Sequence, residues 1–133
     1  MKARIVPPAE ERLLLYGMEE ERQAAVSAAA ASLGIRVQVV GPAQLGSPLG
    51  RLMGWEGFQE GAPVLPEEIP AVECLVIGPM ERRRLDQLLR ALGQAGVTVA
   101  LKAMVTPTNQ KWPMVRLIQE LRREHQAMTG ETV

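Results

Sequence analysis

RLLLYGMEEERQAAVSAAAASLGIRVQVV, residues 12–40, reads as a strand, a helix and a second strand. Leu13-Leu14-Leu15-Tyr16 is a continuous apolar run, suited to a buried strand. Glu19-Glu20-Glu21 places acids in a first helical turn, where they complement the helix dipole. The Ala-rich body that follows ends at Leu33-Gly34, with glycine where left-handed helix caps prefer it. Ile35-Arg36-Val37-Gln38-Val39 then alternates with period two, as a half-buried strand does.

The plan recurs downstream. Val72 to Ile77 reads as a strand, and Leu85, Leu88, Leu89 and Leu92 lie at helical spacing behind it. Gly96 closes that helix, and Val97 to Val105 reads as one long strand. Sliding the chain by 62 residues aligns the two stretches without a gap: Leu13 meets Leu75, Met18 meets Met80, Glu19 meets Glu81 and Arg22 meets Arg84. Ala29 meets Ala91, Gly34 meets Gly96 and Val37 meets Val99. The match suggests internal duplication, although any two strand–helix–strand units share part of such a pattern.

Between the halves, Gly41 to Pro70 holds six of the twelve glycines and five of the ten prolines, so long regular elements are not expected there. The stretch is nevertheless apolar: Leu45, Leu49, Leu52, Met53, Trp55 and Phe58 all need cover. Ser47-Pro48 suits the start of a short helical turn through Leu52. One reading is a crossover that lays these residues on an open sheet face. The other is a lid carrying Trp55 and Phe58 over a pocket.

One more helix ends the chain. Met114, Leu117, Ile118, Leu121, His125 and Met128 form an amphipathic stripe, Pro113 marks its start and Gly130 its end. Together these elements predict a single α/β (α+β) domain over 1–133: one half at 12–40, a Gly/Pro-rich linker at 41–70, and a second half at 71–130. The expected architecture is a ferredoxin-like βαβ-βαβ pseudo-repeat sandwich plus the C-terminal helix. A small doubly wound parallel sheet has the same strand count and is the alternative. Either way, the last helix, the linker or a second subunit must cover the sheet face that the first two helices leave open.

Composition narrows the function classes. The chain has 133 residues with Lys plus Arg equal to Asp plus Glu at 15 each, which argues against a general nucleic-acid binder. Hydrophobic residues at 47% and charged ones at 23% give the balance of a folded, soluble domain. One Cys excludes an internal disulfide, and one His excludes any metal site needing two imidazoles. No metal and no cofactor is expected. No apolar segment approaches the ~20 residues that span a bilayer, and Met1 to Pro8 lacks a signal-peptide core, so a cytoplasmic location is the expectation.

Chemistry is best sought in Leu101-Lys102-Ala103-Met104-Val105-Thr106-Pro107-Thr108-Asn109-Gln110-Lys111-Trp112. Period-two alternation puts Lys102, Met104 and Thr106 on one strand face, and Thr106 to Asn109 turns the chain toward the last helix. Such hydroxyl and amide groups serve backbone caps, with Trp112 as a core anchor. The same Lys102, Thr106, Thr108, Asn109 and Trp112 beside a helix start could instead hold a small anion.

This stretch resembles the signature of a family of small bacterial proteins known as domain of unknown function 3783: Leu-Lys-Ala, two apolar residues, Thr-Pro-Thr-Asn, two spacers and Trp, then an amphipathic helix. Val76-Ile77-Gly78, Glu120-Leu121 and Glu124-His125 fit as well, and Leu14-Leu15-Tyr16 with Pro48-Leu49-Gly50 fit more loosely. The resemblance covers residues 12 to 128, and Pro113 departs from it where similar sequences place a Thr cap. It implies no activity.

Other features read as structural. Cys74 sits within a strand as a small hydrophobe, and His125 lies on the helix stripe with no marked nucleophile or orienting acid. Arg82-Arg83-Arg84 and Arg122-Arg123 are expected to be solvated faces, since no aromatics interleave with them. The sequence therefore favours a non-enzymatic binding or regulatory module, acting as a homo-oligomer or with a protein partner. The alternative is a sensor or enzyme for a small anionic ligand at the 102–112 turn, with Trp55 and Phe58 as a lid. Nucleic acid and membrane are not expected partners.

Overall fold

The computed structural model describes residues 10–129; Met1 to Pro8 and Gly130, the expected end of the last helix, lie outside them. Four strands and four helices follow one another as β1 (Arg12–Tyr16), α1 (Glu20–Ala31), β2 (Arg36–Val40), α2 (Leu49–Leu52), β3 (Cys74–Ile77), α3 (Arg82–Gln94), β4 (Leu101–Met104) and α4 (Met114–Thr129). Both long helices of the two halves end as their glycines require: Gly34 and Gly96 take φ of 73° and 76°, the left-handed region open to residues without Cβ.

The strands form one mixed sheet in the order β2-β1-β3-β4. β1 and β2 are parallel, with Leu13 opposite Val37. β3 and β4 are parallel too, with Leu75 opposite Lys102. The two halves meet through antiparallel β1 and β3, where Leu14 faces Val76. This order corrects the ferredoxin-like expectation. A split βαβ inserts a strand from the other half between each parallel pair, whereas here each parallel pair is directly hydrogen-bonded. The doubly wound alternative also falls, because the central pair is antiparallel.

Two cores sandwich the sheet. On one face, Leu13, Leu15, Leu75 and Ile77 pack with Val26 and Ala30 of α1 and Leu88 and Leu92 of α3. On the other, Leu14, Tyr16, Cys74 and Val76 meet Leu45, Leu49, Leu52 and Met53 from the linker and Met114, Leu117 and Ile118 from α4. Central leucines with no exposed surface each contribute roughly 1.5–3 kcal/mol. The expected long strand over 97–105 is shorter, because Val97 and Val99 turn into the first of these cores before the chain reaches the sheet edge.

The linker thus covers the face that α1 and α3 leave open. The predicted short turn is α2, entered through Pro48 in extended conformation. Further along, the backbones at Gly46 and Gly61 press together: a Cβ on Gly61 would lie 1.8 Å from the Gly46 carbonyl oxygen. The Gly61 N–H donates to Ser47 Oγ at 3.1 Å, and the Tyr16 hydroxyl donates to the Pro70 carbonyl at 2.6 Å. Among the described residues, no helix is long and apolar enough to cross a membrane.

Candidate functional site

The turn after β4 is a closed set of caps. Asn109, 7% exposed, accepts the Thr106 N–H through Oδ1 at 2.8 Å and donates through Nδ2 to the Met104 carbonyl at 3.1 Å. Thr106 Oγ1 accepts the Asn109 N–H at 3.0 Å in return. These bonds arise because the chain must leave a strand and enter a helix within a few residues, and short polar side chains satisfy the backbone groups freed there.

Of the residues singled out in the sequence, the structure brings Thr106 and Asn109 together and leaves the others apart. Thr108 is exposed. Lys102 Nζ donates to the Val99 carbonyl at 3.2 Å, on the strand rather than toward the turn. Trp112 packs against the linker-side core and carries the Arg116 guanidinium 4.2 Å above its ring centroid. Trp55 packs on that same core. Phe58 lies over Gly50, where its ring occupies the space a Cβ would need.

A different surface gathers more unengaged chemistry. β4 is an edge strand, so the backbone groups along its outer side have no sheet partner. α4 crosses beside it and then overhangs. Met114, Leu117 and Ile118 are buried, but Leu121 is half-buried, His125 is exposed and Met128 is 85% exposed. Between the entries to β3 and β4 and this overhang lies a cleft of about 320 Å³, floored by Val72 and Leu101 and bordered by Glu73, Arg122, His125 and Gln126. A second hollow of about 210 Å³ continues it past Lys102, Leu121, Glu124 and Met128.

Charge in this groove is unevenly committed. Glu73 is held by Arg22, which donates to both carboxylate oxygens at 2.6 and 2.8 Å. Arg122 and His125 have no hydrogen-bond or ion-pair partner among the described residues. The sequence showed His125 as one member of an apolar stripe. The signal for a site was the stripe's length, which exceeds what the four-residue β4 can cover.

Elsewhere the polar groups are engaged or closed off. Burial pushes the Cys74 thiol up to about 12, so its thiolate is scarce at neutral pH. Arg84 is not a solvated cation: it bridges to Glu11 at 2.6 Å, and that bond raises its pKa. Arg82 faces Asp86 at 3.8 Å on the exposed side of α3. Among the described residues, no group of three or more His, Cys, Asp or Glu is placed to hold a metal ion.

No curated protein and no solved structure matches the chain. Residues 73–128, which carry all of the groove's lining except Val72, match the family described as a domain of unknown function (DUF3783).

Proposed function

We propose that the protein is a non-enzymatic binding module whose ligand lies in the groove between the entries to β3 and β4 and the overhanging end of α4. The observation that carries this reading is the pairing of an apolar floor, Val72 and Leu101, with two unengaged nitrogen-bearing side chains, Arg122 and His125. Such a surface suits a carboxylate or phosphate attached to a short apolar group. The guanidinium meets the anion, and the floor takes the apolar part. The inert thiol and the self-satisfied turn at 106–109 both support binding over catalysis. A cytoplasmic location and a homodimeric state or protein partner belong to the same proposal.

Thermal unfolding against a panel of carboxylates, phosphates, nucleotides and amino acids tests it. A ligand at ~100 times its Kd adds roughly 2.7 kcal/mol, a shift of several degrees for a domain of this size. The expected result is a shift that Arg122→Gln abolishes while leaving the unliganded Tm unchanged. A shift that survives Arg122→Gln but disappears in Thr108→Ala, an exposed position in the turn and outside the groove, moves the site to the 102–112 turn. No shift across the panel rejects a small anion and turns the search to protein partners.

A further inference from the structure

The two halves share more than an order of elements. The antiparallel seam is centred on Leu14 and Val76, which are themselves 62 residues apart, the interval of the sequence match. The helix ends agree at the same interval: the Ile35 N–H donates to the Ala30 carbonyl and the Val97 N–H to the Leu92 carbonyl, both at 2.9 Å.

Across the seam, the correspondence becomes reciprocal. Arg22 of α1 grips Glu73, just before β3, and donates to the Thr98 carbonyl at 2.7 Å. Arg84 of α3 grips Glu11, just before β1, and donates to the Leu33 carbonyl. Arg22 and Arg84 are 62 apart, and so are Glu11 and Glu73. Each half therefore clamps the other with the same two residues.

After Gly96 the second half spends three more residues before its edge strand, since Leu13 faces Val37 but Leu75 faces Lys102. From there the interval is 65 and holds through the turn. The Gly41 N–H is capped by Gln44 Oε1 at 2.9 Å, as the Thr106 N–H is by Asn109 Oδ1 at 2.8 Å. Pro42 matches Pro107, Pro48 matches Pro113 and Arg51 matches Arg116. Pro48 and Pro113 face each other in an antiparallel bridge. The Leu49 N–H donates to the Trp112 carbonyl at 3.0 Å, and the Met114 N–H donates to the Ser47 carbonyl at 3.1 Å. Shared strand and helix periodicity would account for the elements. It would not place reciprocal side-chain clamps and matched turn caps at constant intervals.

We infer that residues 11–52 and 73–117 are two copies of one unit related by an approximate two-fold axis, and that the seam between them is a self-complementary interface whose partner is another copy of the unit. In one chain that partner is supplied through the 53–72 connection. Two chains can supply it to each other by exchanging halves, an arrangement that keeps every contact of the monomer.

Full-length variants test this without dissecting the chain. In the first, Glu11→Arg with Arg22→Glu sets like charges against both clamps; in the second, Glu73→Arg with Arg84→Glu does the same. Each alone is expected to melt several degrees below the parent. Half exchange between them restores all four clamps, because Arg at 11 and Glu at 22 of one chain then meet Glu at 84 and Arg at 73 of the other. Co-refolding the two is expected to yield a 1:1 dimer, twice the 14.5 kDa chain mass by light scattering, with the parental Tm recovered. A mixture that melts as its two components and stays monomeric overturns the inference. Equal dimerisation of either variant alone also overturns it, since that dimer would use another surface. If neither variant folds even when mixed, the parent refolded at rising concentration decides. A dimer that forms only on refolding and survives dilution supports exchange, and monomer throughout refutes it.

Discussion

The first half and the second half run in step from their central strands to the capped turn after their edge strands, and then part. In the first, α2 stops at Leu52 after four residues, and the chain doubles back as an irregular linker. In the second, α4 continues for 16 residues, past the end of the sheet it covers. The shared portion builds the sheet, the helix layer and the seam. The unshared portion adds the overhanging wall of the groove. A site that lies where the halves differ cannot be explained by the demands of folding that both halves meet, so the overhang of α4 is the part of the molecule to interrogate for function.

The comparison can be broken at its strongest point by cutting the same side chain from both halves. Leu13 and Leu75 are matched residues with no exposed surface, on the same face of the sheet. Leu13→Ala and Leu75→Ala should each cost about 3 kcal/mol in chemical denaturation, and agree within about 1 kcal/mol. A much larger disagreement would mean that the two environments are alike only in outline.

Alkali should sharpen the contrast, because the single thiol belongs to the second half. Its ordinary pKa of 9.0 rises to about 12 in the fold, where the neutral form is the one retained. The unfolded chain ionises first. Stability is therefore whole below pH 9 and falls as pH rises toward 12, by up to about 1.4 kcal/mol per pH unit. Tyr16, also raised by burial, adds to the loss in the same direction. Unfolding midpoints from pH 8 to 11 should show that slope, and Cys74→Ala should flatten it in part.

The two capped turns offer a finer test. Asn109→Ala removes a cap and leaves the Met104 carbonyl without its donor, and should cost about 1.5 kcal/mol. Gln44→Ala removes the matching cap at a less buried position and should cost about 0.5 kcal/mol. Equal losses would show that Asn109 has no role beyond the one it shares with Gln44. The smallest effect is expected at the tip of α4, where Met128→Ala should move stability by less than about 0.5 kcal/mol. A larger loss there would mean that the overhang is covered in solution.

Much of this was legible in the residues. Apolar runs, helical spacing and the two glycines at 34 and 96 mark both strand–helix–strand units, and the apolar linker residues show a need for cover that fits either the open sheet face or a lid. Strand order was not legible, because periodicity says which face of a strand is buried but not which edge meets which neighbour. The match between halves was visible only as far as Gly96. Three extra residues then shift the interval, so Val37 and Val99, aligned by the gapless slide, are not structural counterparts. The Thr106 to Asn109 turn drew attention as a motif, yet its plainest counterpart, Gly41 to Gln44, lay in a stretch read as linker. The groove is not legible in the sequence, because a helical stripe of apolar residues reads as core along its whole length, and only the sheet's extent shows where the cover ends.

The position of the seam also sets an order of events. Pairs within the halves join residues 24 and 27 apart, as in Leu13 with Val37 and Cys74 with Leu101, whereas Leu14 and Val76 are 62 apart. Closing the longer loop costs roughly 0.8 kcal/mol more by loop length alone. On the ribosome the delay is larger. At about 5–20 residues per second, the 65 residues between Leu52 and Leu117 take roughly 3–13 s to follow. Throughout that interval β1 presents an unpaired edge, and the neighbouring ribosomes on the same message carry the sequence that fits it. Whether a nascent chain closes on itself or on its neighbour is then a race between the rest of its own synthesis and the spacing of ribosomes along the message.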